Sequence, residues 1–175
     1  MKNNLIVNSL SYRDPASKIY EEIDDKLFTQ KIFRGLRKDF YINHSNLLNE
    51  KFFIQLMSVD MVVKTQIKNI DETEFQQIKN DRWEGLVEHE KLDFISYPFE
   101  WSFSMLKDAA LLHLFITRKS IENFWQVKDS SSFNIQWKNN KPIFIDTASF
   151  LPINKNFEWK GYNQFVSMFL NPLLI

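Results

Sequence analysis

The chain is 175 residues long, 44% hydrophobic and 15% aromatic, which is enough to bury one sizeable core and places it outside the disordered class. Lys plus Arg and Asp plus Glu each number 22, so the charge balance gives no grip on nucleic acid or on an anionic membrane. The absence of Cys excludes a disulfide framework, a thiolate zinc site and a cysteine nucleophile together.

The opening residues, MKNNLIVNSLSYRDP, carry too short an apolar run for a signal peptide, and no later stretch reaches membrane-spanning length; a cytoplasmic protein is expected. Residues 18–23 (KIYEEI) and 27–33 (LFTQKIF) flank Asp24-Asp25-Lys26 and predict a hairpin. From 34 to 57 the apolar residues Leu36, Phe40, Leu47, Leu48, Phe52 and Leu56 keep a helical rhythm. Asn43-His44-Ser45-Asn46 interrupts it, predicting one broken helix or two short ones with Ser45 capping the second. Residues 61–67 (MVVKTQI) predict a strand, 71–81 a solvated helix or loop, and 83–97 one or two strands ending at Pro98.

The clearest helix spans 101 to about 124, with Trp101, Met105, Leu112, Phe115 and Ile116 on one stripe. Strands near 133–137 and 142–145 then flank Asn139-Asn140, residues that tolerate the positive φ of a tight turn. Tyr162, Phe165, Val166, Phe169 and Leu170 sit at helical spacing before Pro172. The three glycines, Gly35, Gly85 and Gly161, allow neither GxGxxG nor a Walker-type loop.

Around the 133–145 hairpin stand Asp129, Asn134 and Asp146. Phosphoryl transfer needs such a set: one carboxylate to orient the attacking hydroxyl and receive its proton, then an amide oxygen and a second carboxylate for the metal. With 11 Asp and 16 Asn, roughly one D-x4-N pair is expected by accident, and one is present, so on pattern alone a polar loop between half-buried strands is the better explanation of the spacing. A two-residue Asn139-Asn140 turn sets Asn134 opposite Ile145 and leaves Asp146 facing the other side of the ladder. Asn134 must therefore lie in the loop before regular pairing begins, or a bulge must intervene.

The stretch FISYPFEWSFSMLKDAALLHL (94–114), with VKDSSSFNIQ (127–136), IFIDTASF (143–150) and WKGYNQFVSMFLNPLLI (159–175), resembles the amino-terminal region of bacterial nodulation-type, S-adenosylmethionine-dependent methyltransferases. The resemblance covers most of the chain from about Asp81; before it, only Asp14-Pro15 and the following hairpin are similar. In that family a separate methyltransferase domain follows, which is expected to lie outside these 175 residues; S-adenosylmethionine is expected only through it.

The same region resembles, more distantly, the protein-kinase and aminoglycoside-phosphotransferase fold. That likeness implies an α+β, incomplete two-lobed architecture: residues 1–97 an antiparallel N-lobe sheet with one or two helices, 98–175 a partial, helical C-lobe with a catalytic-loop hairpin. It implies ATP and magnesium as cofactors, Lys128-Asp129 as the catalytic-loop pair, Asn134 and Asp146 as metal ligands, and a hinge at 97–101 beginning with Tyr97. Lys31 stands as the phosphate-pairing cation, with Glu50 as its partner. Three departures accompany this: no Gly-rich loop, Val127 where the family has His, and D-T-A for D-F-G.

Other polar residues have plainer readings. His44, His89 and His113 lack metal-ligand spacing, and strand alternation sends His89 away from Glu88 and Glu90. Lys107 and Asp108 read as a solvated helix pair, and Tyr97, Phe99, Trp101 and Phe103 as core aromatics or an adenine platform. Two functions remain open. One is a phosphotransferase acting on an unknown small-molecule or glycan hydroxyl. The other is a non-catalytic, pseudokinase-like module docking to a methyltransferase domain or chain.

Overall fold

A computed structural model describes residues 4–8, 15–23, 28–154 and 157–175. Along the chain come β1 (Asn4–Val7), β2 (Ser17–Ile23), β3 (Thr29–Leu36), α1 (Lys38–Asn49), α2 (Lys51–Ser58), β4 (Thr65–Lys68), α3 (Gln76–Asn80) and β5 (Gly85–His89). Then follow α4 (Phe103–Glu122), β6 (Trp125–Val127), β7 (Ile135–Lys138), β8 (Lys141–Phe144), β9 (Phe150–Pro152), α5 (Tyr162–Phe165), a π-helical turn (Val166–Leu170) and α6 (Asn171–Leu173). The chain divides into two compact units, Met1–Leu48 with Lys64–Lys91, and Asn49–Val63 with Leu92–Ile175.

The first unit is built on a five-stranded antiparallel sheet in the order β1-β2-β3-β5-β4. Its register pairs Tyr20 with Phe33 and Gly35 with Leu86, so these side chains share one face under strand alternation. Phe75, Ile78 and Trp83 close that face into a core with Leu5, Tyr20, Phe33 and Leu86. The segment 71–81 is therefore anchored, because its two apolar residues Phe75 and Ile78 are buried while its neighbours stay exposed. Two glycines admit rings on opposite faces. A Cβ on Gly35 would lie 2.7 Å from Trp83, and one on Gly85 2.0 Å from the Tyr41 ring of α1.

Several expected boundaries move. The hairpin of β2 and β3 is present, while its turn Asp24-Asp25-Lys26 lies outside the described residues, as does Asp14. Helix α1 runs unbroken through Asn43-His44-Ser45-Asn46, since His44 and Leu47 are buried on one face and hold it together. The break falls at Glu50, whose extended backbone (φ −72°, ψ 129°) starts α2. The strand expected at 61–67 splits: Val63 N–H donates to Phe144 O and Phe144 N–H to Met61 O, both at 2.9 Å, while Thr65 opens β4 in the first unit. Of 83–97 only Gly85–His89 pairs as a strand.

In the second unit α4 starts at Phe103, two residues after Trp101, with the Ser102 hydroxyl accepting the Met105 N–H at 3.3 Å. Its buried face is Ala109, Leu112, His113, Ile116, Thr117 and Ser120, so Phe115 falls off the expected stripe and is exposed. Phe124, with φ 63°, ends the helix in the left-handed region. The core gathers Phe53, Phe144 and Phe150 in edge-to-face contacts of 5.0 and 5.7 Å, with His113 5.8 Å from the Phe144 ring. The terminal helix does not stop before Pro172. A π-helical turn immediately precedes Asn171–Leu173, a widened turn that accommodates a residue without an N–H. Among the described residues no helix is long and apolar enough to cross a membrane.

Candidate functional site

Strand β6 pairs antiparallel with β9, Val127 opposite Phe150, and the ladder continues one step as Lys128 N–H donates to Ser149 O at 2.9 Å. The loop that begins at Lys128 thus starts beside the segment that follows Asp146. Strands β7 and β8 pair from Ile135 opposite Phe144 to Lys138 opposite Lys141. Asn139 and Asn140 form the two-residue turn with φ 51° and 61°, the mirror-image geometry that suits a twisted hairpin.

This register fixes Asn134. It closes a 3-10 turn (Ser132–Asn134), its N–H donating to Ser131 O at 3.0 Å, so it lies in the loop ahead of regular pairing. Its carbonyl still accepts the Ile145 N–H at 2.9 Å. Its side-chain amide donates from Nδ2 to the Asp129 main-chain carbonyl at 3.3 Å. A carbonyl can only accept, so the NH2 must face it and Oδ1 is turned away. Asp146 follows Ile145 directly. Its carbonyl accepts the Ser149 N–H at 3.1 Å and the Ser149 hydroxyl at 2.9 Å, pinning the main chain that carries the carboxylate.

Asp129, Asn134 and Asp146 are all half-buried, set among buried Ser130, Ser132, Ile135, Phe144 and Thr147. Main-chain bonding therefore brings the three into one loop cluster: Asn134 bonds Asp129 directly and bonds the residue before Asp146. Lys128 Nζ stands 3.9 Å from the Asp129 carboxylate, a loose contact between half-buried sequence neighbours. Ser130, immediately after Asp129, is buried; Gln164 of α5 accepts its N–H at 2.8 Å.

Beneath the cluster His113 is buried and its Nδ1 lies 3.3 Å from the Thr117 hydroxyl. Burial pulls its pKa down to about 4; the Asp129 carbonyl opposes this more weakly. The ring is neutral at neutral pH and packs between Phe144, Phe165 and Phe169.

The remaining expected residues lie elsewhere. Lys31 pairs with Glu22 at 3.3 Å, on the sheet face that carries Phe33. Glu50 belongs to the second unit, where its carbonyl accepts the Phe53 and Ile54 N–H groups at 3.1 and 3.0 Å. Sequence reasoning passed over Arg34. Strand alternation puts it on the opposite face from Lys31, where its charge helps to depress the pKa values of both His44 and His89. Counting parity from the buried Phe33 would have separated the two cations. Tyr97 is exposed, its N–H donates to Glu100 at 2.8 Å, and its ring stacks on Phe99 at 5.4 Å. Lys107 and Asp108 are exposed on α4.

Among the described residues no group of three His, Cys, Asp or Glu is placed to hold a metal ion. One amide oxygen and one carboxylate are nonetheless hard ligands of the kind magnesium takes when phosphate oxygens and waters complete its shell. The donor set fits that ion.

A search of solved structures finds the Cydia pomonella Granulovirus kinase PK-1, with a TM-score of 0.52 and 10% identity, over 91% of this chain and 58% of the viral kinase. The fold is protein-kinase-like. Among curated proteins the chain is similar to "Nodulation protein NoeA" of Rhizobium meliloti (strain 1021), 29% identical over 165 residues. The match takes in 94% of this chain, which spans 32% of that relative's length. The nodulation-type likeness read from the sequence is thus met by this relative, and the kinase-like likeness by the viral kinase. No family model matches the chain. The kinase-like fold carries this loop cluster between β6, the β7–β8 hairpin and β9.

Proposed function

We propose that the chain binds magnesium and ATP, with Asn134 and Asp146 as metal ligands and Asp129 as the group that orients a hydroxyl acceptor. The observation that carries this reading is the Asn134 Nδ2 bond to the Asp129 carbonyl. One contact turns the amide oxygen outward for a cation and holds the loop of the base. Bound magnesium would supply charge neutralisation at the phosphates. Asp129 would accept the proton of the acceptor hydroxyl as that oxygen bonds to the transferred phosphorus. Lys128 would add positive charge beside it. The acceptor is a small-molecule or glycan hydroxyl, and the cytoplasm, where ATP is abundant, is the setting this chemistry needs.

A second reading is a pseudokinase-like docking module for a methyltransferase domain or chain. Two observations favour it. Lys31 is engaged by Glu22, and all three glycines serve close packing: Gly35 under Trp83, Gly85 under Tyr41 and Gly161 against Ser130. None is free to cradle a phosphate, and the same fact weighs against S-adenosylmethionine binding by this chain. Calorimetric titration with ATP and magnesium separates the readings. Saturable heat that requires magnesium supports the first; a folded protein that gives only dilution heat leaves the docking module.

A further inference from the structure

A groove of about 570 Å³ lies between α2 and α4 in the second unit. Phe52 and Leu56 make its floor, 8% and 4% exposed, and Val59 and Phe115 stand at its edges, 56% and 41% exposed. Positions 52, 56 and 59 recur at helical spacing, as do 115 and 119, so two helix faces supply the lining. Its charged lining residues are Lys51 and Lys119, and no carboxylate among the described residues lines it. Outside the groove Glu122 takes Lys119 and Arg118, each at 2.8 Å. Those pairs are solvent-exposed, hence weak and open to competition, and the cations outnumber the single carboxylate.

An apolar floor under a basic rim is complementary to an amphiphile with an anionic head. The α2 wall runs about 12 Å from Lys51 to Val59, and no strand edge lines it to pair an extended peptide. We propose that the groove binds an alkyl carboxylate, its chain along Phe52 and Leu56 and its head group on Lys51 and Lys119. The site uses none of Asp129, Asn134 and Asp146 and stands apart from nucleotide binding.

The test is calorimetry on the full chain with three probes: dodecanoate below its micelle concentration, dodecyltrimethylammonium, and a short amphipathic acidic peptide. Saturable dodecanoate binding is expected, weakening about threefold to fourfold for each methylene removed from the chain. The ammonium amphiphile should bind at least about tenfold more weakly, and the double variant Lys51→Glu, Lys119→Glu should lose about tenfold for dodecanoate. Val59→Asp, at an exposed edge, should abolish binding, with circular dichroism confirming the fold of both variants. Equal binding of the two amphiphiles, indifference to both substitutions, or binding of the peptide alone would overturn the proposal.

Discussion

The side chain of Asn134 is tied to the main-chain carbonyl of Asp129 at 3.3 Å, while its own carbonyl holds the N–H of Ile145, the residue before Asp146. Asn134→Asp keeps an oxygen ligand but loses the NH2 and sets a carboxylate against a carbonyl. Stability should fall by about 1–2 kcal/mol, read by urea unfolding, and under the proposed function magnesium-dependent ATP affinity should fall by about tenfold. Asp146→Ala should abolish that affinity and spare the fold, because the main-chain bonds at Asp146 remain. Unchanged affinity in Asp146→Ala would mark this Asp as a strand terminator only.

In the first unit Tyr20 is fully buried; its hydroxyl donates to Asp81 and accepts the Trp83 indole N–H at 2.7 Å. Burial, reinforced by Asp81, holds the phenol well above its usual pKa, so it stays a donor. Tyr20→Phe strands a buried indole N–H and should cost about 1–3 kcal/mol in chemical denaturation. A variant as stable as the parent would show that solvent reaches Trp83.

Acid should destabilise the protein through its histidines. Burial, followed by the Arg34 charge, lowers His44 to about 3 and His89 well below its usual value, and burial lowers His113 to about 4. A depressed folded pKa means that the unfolded chain protonates first. Stability is then flat above the usual histidine value of 6.5 and falls as pH drops from there toward the folded values. Each histidine should cost about 2 kcal/mol at about pH 5. Urea midpoints across this range should show the slope, and His113→Gln should remove about one proton from it.

Gly161 has no room for a side chain: a Cβ there would sit 2.0 Å from the Ser130 hydroxyl and 3.0 Å from the Trp159 indole nitrogen. Gly161→Ala should cost about 1–3 kcal/mol by overpacking and disturb the Asp129 loop. Adding Ser130→Gly should recover most of that loss in a double-mutant cycle. Simple additivity would mean that the two residues do not compete for the same space.

The sequence by itself determined what depends on neighbours along the chain. Asn139-Asn140 set a two-residue turn and the turn set the register, which left Asn134 either in the loop or at a bulge; the structure placed it in the loop ahead of pairing. An uninterrupted run likewise marked α4, whereas its start behind the Ser102 cap came only from the structure. Contacts between distant segments were decided only by the tertiary structure. Helix α1 runs through its polar tetrad because His44 and Leu47 are buried, and residues 61–63 pair with β8 because Phe144 offers both of its main-chain groups. Lys31 and Arg34 are alike as letters, yet the pleat sends one to Glu22 and the other beside two buried histidines. Local backbone preferences act over a few residues and leave their mark on composition and spacing. Burial and pairing partners are set by packing across tens of residues, and that information exists only once the chain has folded.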